Sequence, residues 1–189
     1  MKSLFALIAT ALLTCTCFAE AAPLKAGKLL CDLNVKEKSS DWENFQNYGN
    51  RLTHGYEVMD NVPVMTFRNA EQKRHDTAWS IQSKEIPLDA AIKNIIVEID
   101  FQANLIWNVP NMPKTPFRNC VVWYNSSKKK IKHTDITYLG YPNKFTLSKI
   151  QLEVPAGAVV CRVQFGTDHP NITDQQFIAY RSVKVFAAE

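Results

Sequence analysis

From Ile95 to Trp107 the odd-numbered residues are all apolar: Ile95, Val97, Ile99, Phe101, Ala103, Leu105 and Trp107. Glu98, Asp100, Gln102 and Asn104 occupy the intervening even positions. Side chains on a strand alternate between two faces, whereas a helix repeats its apolar positions every three to four residues. A period of two sustained this long therefore predicts a long strand of an antiparallel sheet. One face lies in a core and the other meets water or a ligand.

The rest of the chain carries the same signal in shorter pieces. Leu29, Cys31, Leu33 and Val35 alternate, and strand-like runs follow at 62–69, 77–83, 119–125, 136–139, 145–154, 158–165 and 177–186. Turn-forming clusters such as Asn125-Ser126-Ser127 and Pro155-Ala156-Gly157 separate them. Roughly nine or ten short strands with no repeat and no linker predict one all-β domain, an antiparallel sandwich or barrel. The stretch 108–118 contains Pro110, Pro113 and Pro116 and is expected to be a loop.

The first residues read differently. Met1-Lys2-Ser3 precedes an apolar run at 4–13, shorter than the roughly 20 residues that cross a bilayer. A small-residue stretch with Ala19, Ala21 and Ala22 follows, the pattern of a cleaved export signal. Residues 1–21 are expected to be that signal, and 22–189 the single sandwich domain of a secreted or periplasmic protein without a transmembrane segment. Thr14 before Cys15 departs from the usual lipoprotein box, so lipid anchoring ranks below a free form. Loss of the signal leaves Cys31, Cys120 and Cys161. Export permits disulfides, and a Cys120–Cys161 bridge is weighed against buried free thiols.

Several function classes are excluded. A formal net charge of +4 is too small for a nucleic-acid partner, and 46% hydrophobic residues are too many for disorder. His54, His75, His133 and His169 make no metal-ligand spacing, and no nucleophile elbow, P-loop or dinucleotide fingerprint occurs.

The second half resembles a known family. Val122-Trp123-Tyr124-Asn125-Ser126-Ser127-Lys128-Lys129-Lys130-Ile131 is similar to the hairpin of the galactose-binding-domain-like carbohydrate-binding modules. Val154-Pro155-Ala156-Gly157-Ala158 resembles the corner before their penultimate strand, and 177–185 their closing strand. The resemblance spans roughly residues 58–186. It implies a β-sandwich of jelly-roll type that binds a polysaccharide or oligosaccharide without catalysis. Such modules usually accompany an enzyme, so the chain either works alone or has a separately encoded protein partner. Asn125 and Lys128 stand where the family's turn commonly has Asp and Gly. Arg181 stands near the place of an acidic residue that helps hold a structural calcium, which disfavours that ion and implies no cofactor.

Sugar rings present apolar C–H faces, so a glycan site combines aromatic rings with amide and carboxylate groups. The expected hydrogen-bonding row is Glu98, Asp100, Gln102 and Asn104. The expected stacking rings are Trp42, in a polar run and so exposed; Trp107, at the edge of the proline-rich loop; and Tyr124, opposite in phase to a core Trp123. A solvated outer sheet face explains the same polar row without a ligand. Two other functions compete: a structural or adhesion sandwich that contacts protein, and a polysaccharide-degrading enzyme. The enzyme would use Glu98 and Asp100, about 6.6–7 Å apart along the strand.

Overall fold

The structure, a computed structural model, describes residues 24–48, 52–69, 78–104, 117–136, 142–167 and 177–189. These form twelve strands and no helix. They are β1 (Ala26–Leu33), β2 (Trp42–Tyr48), β3 (Leu52–Met59), β4 (Val62–Asn69), β5 (Ala78–Ser83), β6 (Ile86–Pro87), β7 (Asn94–Asn104), β8 (Phe117–Tyr124), β9 (Lys130–Asp135), β10 (Thr146–Glu153), β11 (Val160–Thr167) and β12 (Phe177–Ala188). All pairings are antiparallel. One sheet, here sheet A, runs β10-β7-β12-β4-β3 with β1 also on β12; sheet B runs β2-β5-β11-β8-β9 with β6 also on β11. The two sheets pack as a sandwich of jelly-roll type.

The alternation around Ile95 becomes β7, a central strand of sheet A. Its odd residues Ile95, Val97, Ile99, Phe101 and Ala103 enter the shared core, where Val121, Trp123, Cys161, Val163 and Phe165 of sheet B meet them. Trp123 is fully buried, and its Nε1 donates to Thr134 Oγ1 at 2.9 Å, so the one polar atom of the ring is satisfied. Phe165 stacks on Tyr180 across the sheets with ring centroids 4.2 Å apart.

Four strands exceed the sequence expectation, the two-residue β6 and three longer ones. β3 includes His54 and Gly55, and β9 is an edge strand whose lysines face solvent, so neither alternates cleanly. β2 begins at Trp42, and this corrects the exposed ring expected there. Trp42 is 7% exposed and stacks on Phe165 at 5.4 Å. Its Nε1 donates to Asn34 O at 2.8 Å, which ties the β1–β2 loop to the core. Ile136 follows β9 and is not in a strand; residues 137–139 of that expected run lie outside the described residues. Cys31, Cys120 and Cys161, the cysteines among the described residues, are free. A Cys120–Cys161 bridge fails on register, since Cys161 opposes inward Trp123 while Cys120 opposes Gln164 on the other face.

The same loop holds an ion pair. Asp41 accepts from Asn34 N at 2.8 Å and lies 2.7 Å from Lys84 Nζ. Burial works to raise the carboxyl's pKa, but Lys84 and the Asn34 N–H outweigh it and the net direction is down. A carboxyl depressed in the folded state adds stability above its unfolded pKa and loses it as pH falls through the folded value. Stability is therefore expected to decline below about pH 4, with a shallower acid limb in Asp41→Asn. Urea titrations of both proteins between pH 7 and 3 measure this.

Candidate functional site

The outer face of sheet A has a floor of its own. Alternation puts Gly55, Thr66, Ala179 and Gln102 on that face, and register puts them in one row across β3, β4, β12 and β7. Thr66, Ala179 and Gln102 are buried, as are Val64 and Ile96 on the same face. A flat, solvated outer face does not bury its side chains in this way. Met59 Sδ lies 3.8 Å from Gln102 Nε2. Strands β3 and β7 are three spacings apart, and Met59 stands four residues beyond Gly55. In a flat sheet their Cα atoms would be close to 20 Å apart. The sheet therefore curls toward this face, and the row of small side chains lies at the bottom of a concave trough, with Thr66, Ala179 and Gln102 almost closed to solvent.

One wall of the trough comes from a bulge. Tyr180 opposes Phe101 and Ser182 opposes Asp100, leaving Arg181 as the extra residue. The core-facing phase consequently switches from Ile178 and Tyr180 to Val183 and Val185. Bulges re-aim side chains. Here Arg181 Nε donates to Asp100 Oδ2 at 2.7 Å, and the guanidinium sits 4.6 Å from the Phe145 ring centre. Ala103 N donates to Pro142 O at 2.8 Å, which holds the segment carrying Phe145 against β7. Asp100 Oδ1 is buried with no hydrogen-bond partner among the described residues.

A second row is electrostatic. Glu98 opposes Lys149 on β10 and Lys184 on β12, and Lys184 opposes Asp32 on β1. The contacts are 2.8 Å for Lys149–Glu98 and 3.7 Å for Lys184–Asp32. Each carboxylate of the Glu98–Asp100 pair is thus held by a different cation. Among the described residues no group of three or more His, Cys, Asp or Glu converges as a metal site.

The structure divides the residues expected to bind. Asp100 and Gln102 line the trough, Glu98 belongs to the charged row, and Asn104 is exposed at the end of β7. Trp42 is core. Tyr124 lies on the outer face of sheet B, opposite the trough, and Trp107 lies outside the described residues. Phe145 is an aromatic ring at the trough, with Leu147 beside it, 50% exposed and paired with Asp100, and half-buried Phe177 stands on the same face two residues from Ala179. The switch of apolar phase within 177–186 is the one sequence signal that marks the Arg181 bulge.

Lys128 φ is +59°, a left-handed conformation, at the turn position where the resembled family commonly has Gly. Asn125 Oδ1 accepts from Ser127 N at 3.1 Å and Lys129 N at 2.9 Å, bracing the turn. Lys128→Gly is expected to relieve this strain and stabilise the domain by about 0.5–1 kcal/mol in chemical denaturation.

No protein-family model matches the sequence, and no curated protein matches it. Solved structures do match in fold. The family 11 carbohydrate-binding module of the cellulase Lic26A-Cel5E of Clostridium thermocellum is 12% identical, with a TM-score of 0.53; the match covers 87% of this chain and 98% of that one. The CBM22-1 xylan-binding domain from Paenibacillus barcinonensis Xyn10C is 8% identical, with a TM-score of 0.52, covering 88% and 99%. The enzymatically active domain of bacteriophage CBA120 tailspike protein 4 is 12% identical at a TM-score of 0.52; 78% of this chain is covered but only 19% of that one. At these identities the likeness shows the fold, a carbohydrate-binding-module-like β-sandwich.

Proposed function

We propose that the chain is an exported, non-catalytic module that binds a neutral glycan along the concave outer face of sheet A. The observation that carries this reading is the trough itself. Four small or amide side chains cross four strands, and the curl that brings Met59 to Gln102 makes their face concave. The row spans about 14 Å, room for a short stretch of oligosaccharide. Phe145 and Leu147 supply apolar surface for sugar C–H faces. Asp100, Arg181 and Gln102 supply hydrogen-bonding groups. The ion pairs of this face, Asp100–Arg181, Glu98–Lys149 and Asp32–Lys184, cancel one another, which favours an uncharged ligand. The leader-like residues 1–21 support export, and the separate cation on each carboxylate supports a non-catalytic role.

The test is migration of the full chain through gels containing soluble neutral polysaccharides, xylan and mixed-linkage glucan among them. At least one should retard the protein. Gly55→Leu should abolish the retardation by filling the trough; a Cβ there meets nothing closer than Thr66 Oγ1 at 3.6 Å, and circular dichroism of the variant checks that the longer side chain leaves it folded. Free migration in every gel rejects the reading.

A further inference from the structure

The geometry points to a second saccharide site, for a single neutral sugar ring, on the outer face of sheet B. A depression of about 260 Å3 lies where the β8–β9 turn meets β5 and β11. Sites for drug-sized ligands run about 300–1,000 Å3, so this one suits one ring, such as a chain end, and not an internal stretch of polymer. It lies on the sheet opposite the trough and stands independently of the reading proposed for that face.

Its polar groups are already fixed. Arg162 donates through Nη1 to Glu43 and to Ser83 O at 3.2 Å, and through Nη2 to Glu85 Oε1 at 3.3 Å. Gln82 Nε2 donates to the same Glu43 oxygen at 2.5 Å. Gln82 Oε1 is buried and has no partner among the described residues. Tyr124 stands half-buried at the wall, and Asn125 and Ser126 close the end. Groups held by one another lose little freedom when a ligand arrives, which is the advantage of preorganisation. The arrangement combines one aromatic face, carboxylate and amide oxygens facing hydroxyl donors, and guanidinium N–H groups facing hydroxyl acceptors. The carboxylates of Glu43 and Glu85 are matched by the cations of Arg162 and Lys128, so the site is polar without net charge. That balance suits a neutral polyol and offers no surplus cation to a uronate. A hydroxyl donating to Gln82 Oε1 would satisfy a buried acceptor that has no partner among the described residues.

The experiment follows amide shifts of the isotope-labelled full chain during titration with the methyl glycosides of glucose, galactose, mannose and xylose, with sodium glucuronate as the charged control. At least one neutral glycoside should move the amides of Gln82, Tyr124, Ser126 and Arg162, and glucuronate should not. Tyr124→Ala and Gln82→Leu should each weaken that response about tenfold, whereas Gly55→Leu should leave it unchanged. The second variant keeps side-chain volume and guards against a folding defect in the first. Silence at all four amides with every neutral glycoside, an equal response to glucuronate, or indifference to both variants overturns the proposal. Failure of trough binding with these shifts intact would reject the sheet A reading alone.

Discussion

Trp42→Ala is expected to lower the unfolding free energy by about 3–5 kcal/mol, the usual cost of removing a large buried aromatic. For a domain of this size that is a fall in melting temperature of roughly 10 °C. Two contacts are lost together: the stack on Phe165 and the indole N–H bond to Asn34 O that pins the β1–β2 loop. Trp42→Phe keeps most of the first and removes the second, so its cost should be nearer 1–2 kcal/mol, including the unpaired carbonyl. Glycan affinity of the folded fraction should stay unchanged in Trp42→Phe. A variant of unaltered stability that no longer bound glycan would instead make Trp42 the exposed stacking ring expected from its polar neighbours.

Asp100→Ala is expected to reduce glycan affinity about 10- to 100-fold, the range for one or two hydrogen bonds to a charged group. Asp100 does two things at the trough. Oδ2 holds the bulged Arg181 in place over Phe145, and Oδ1, buried with no hydrogen-bond partner among the described residues, is the acceptor proposed for a ligand hydroxyl. Removing the carboxylate would therefore take away the proposed ligand contact and loosen its neighbour. Arg181 is partly exposed and keeps Phe145, so the loss of stability should be about 1 kcal/mol or less. Lys149→Ala is the control. It disturbs the charged row around Glu98 but not the trough, and calorimetry should find its affinity within about twofold of the parent. Equal losses in both variants would mean that general electrostatics, not Asp100, governs binding.

The legible part of the fold was the part in which one strand buries one face. β7 follows from its own alternation because every odd residue meets the core. β9 does not alternate, because an edge strand needs lysines on more than one side. Trp42 misled because its sequence neighbours are polar: Glu43 faces outward, while Asp41 is spent on Lys84 and Asn34. The site was harder still. Asp100 and Gln102 were identifiable as a polar face, but nothing local says which other strands lie beside β7. Gly55, Thr66 and Ala179 are unremarkable residues whose row exists only through long-range pairing. The phase of β8 turns Tyr124 away from the core, yet phase within a strand does not reveal which sheet it belongs to. The Arg181 bulge left a trace in the phase switch from Tyr180 to Val183, a signal that depends on reading the two halves of β12 separately.

The proposed glycan-binding face is the concave face of sheet A. A crystal structure of the full chain with a neutral oligosaccharide chosen from the gel experiment tests it most directly. The ligand is expected to lie across β3, β4, β12 and β7 over Gly55, Thr66, Ala179 and Gln102, with a hydroxyl on Asp100 and a sugar face against Phe145. An oligosaccharide bound elsewhere, with the trough empty, would contradict it.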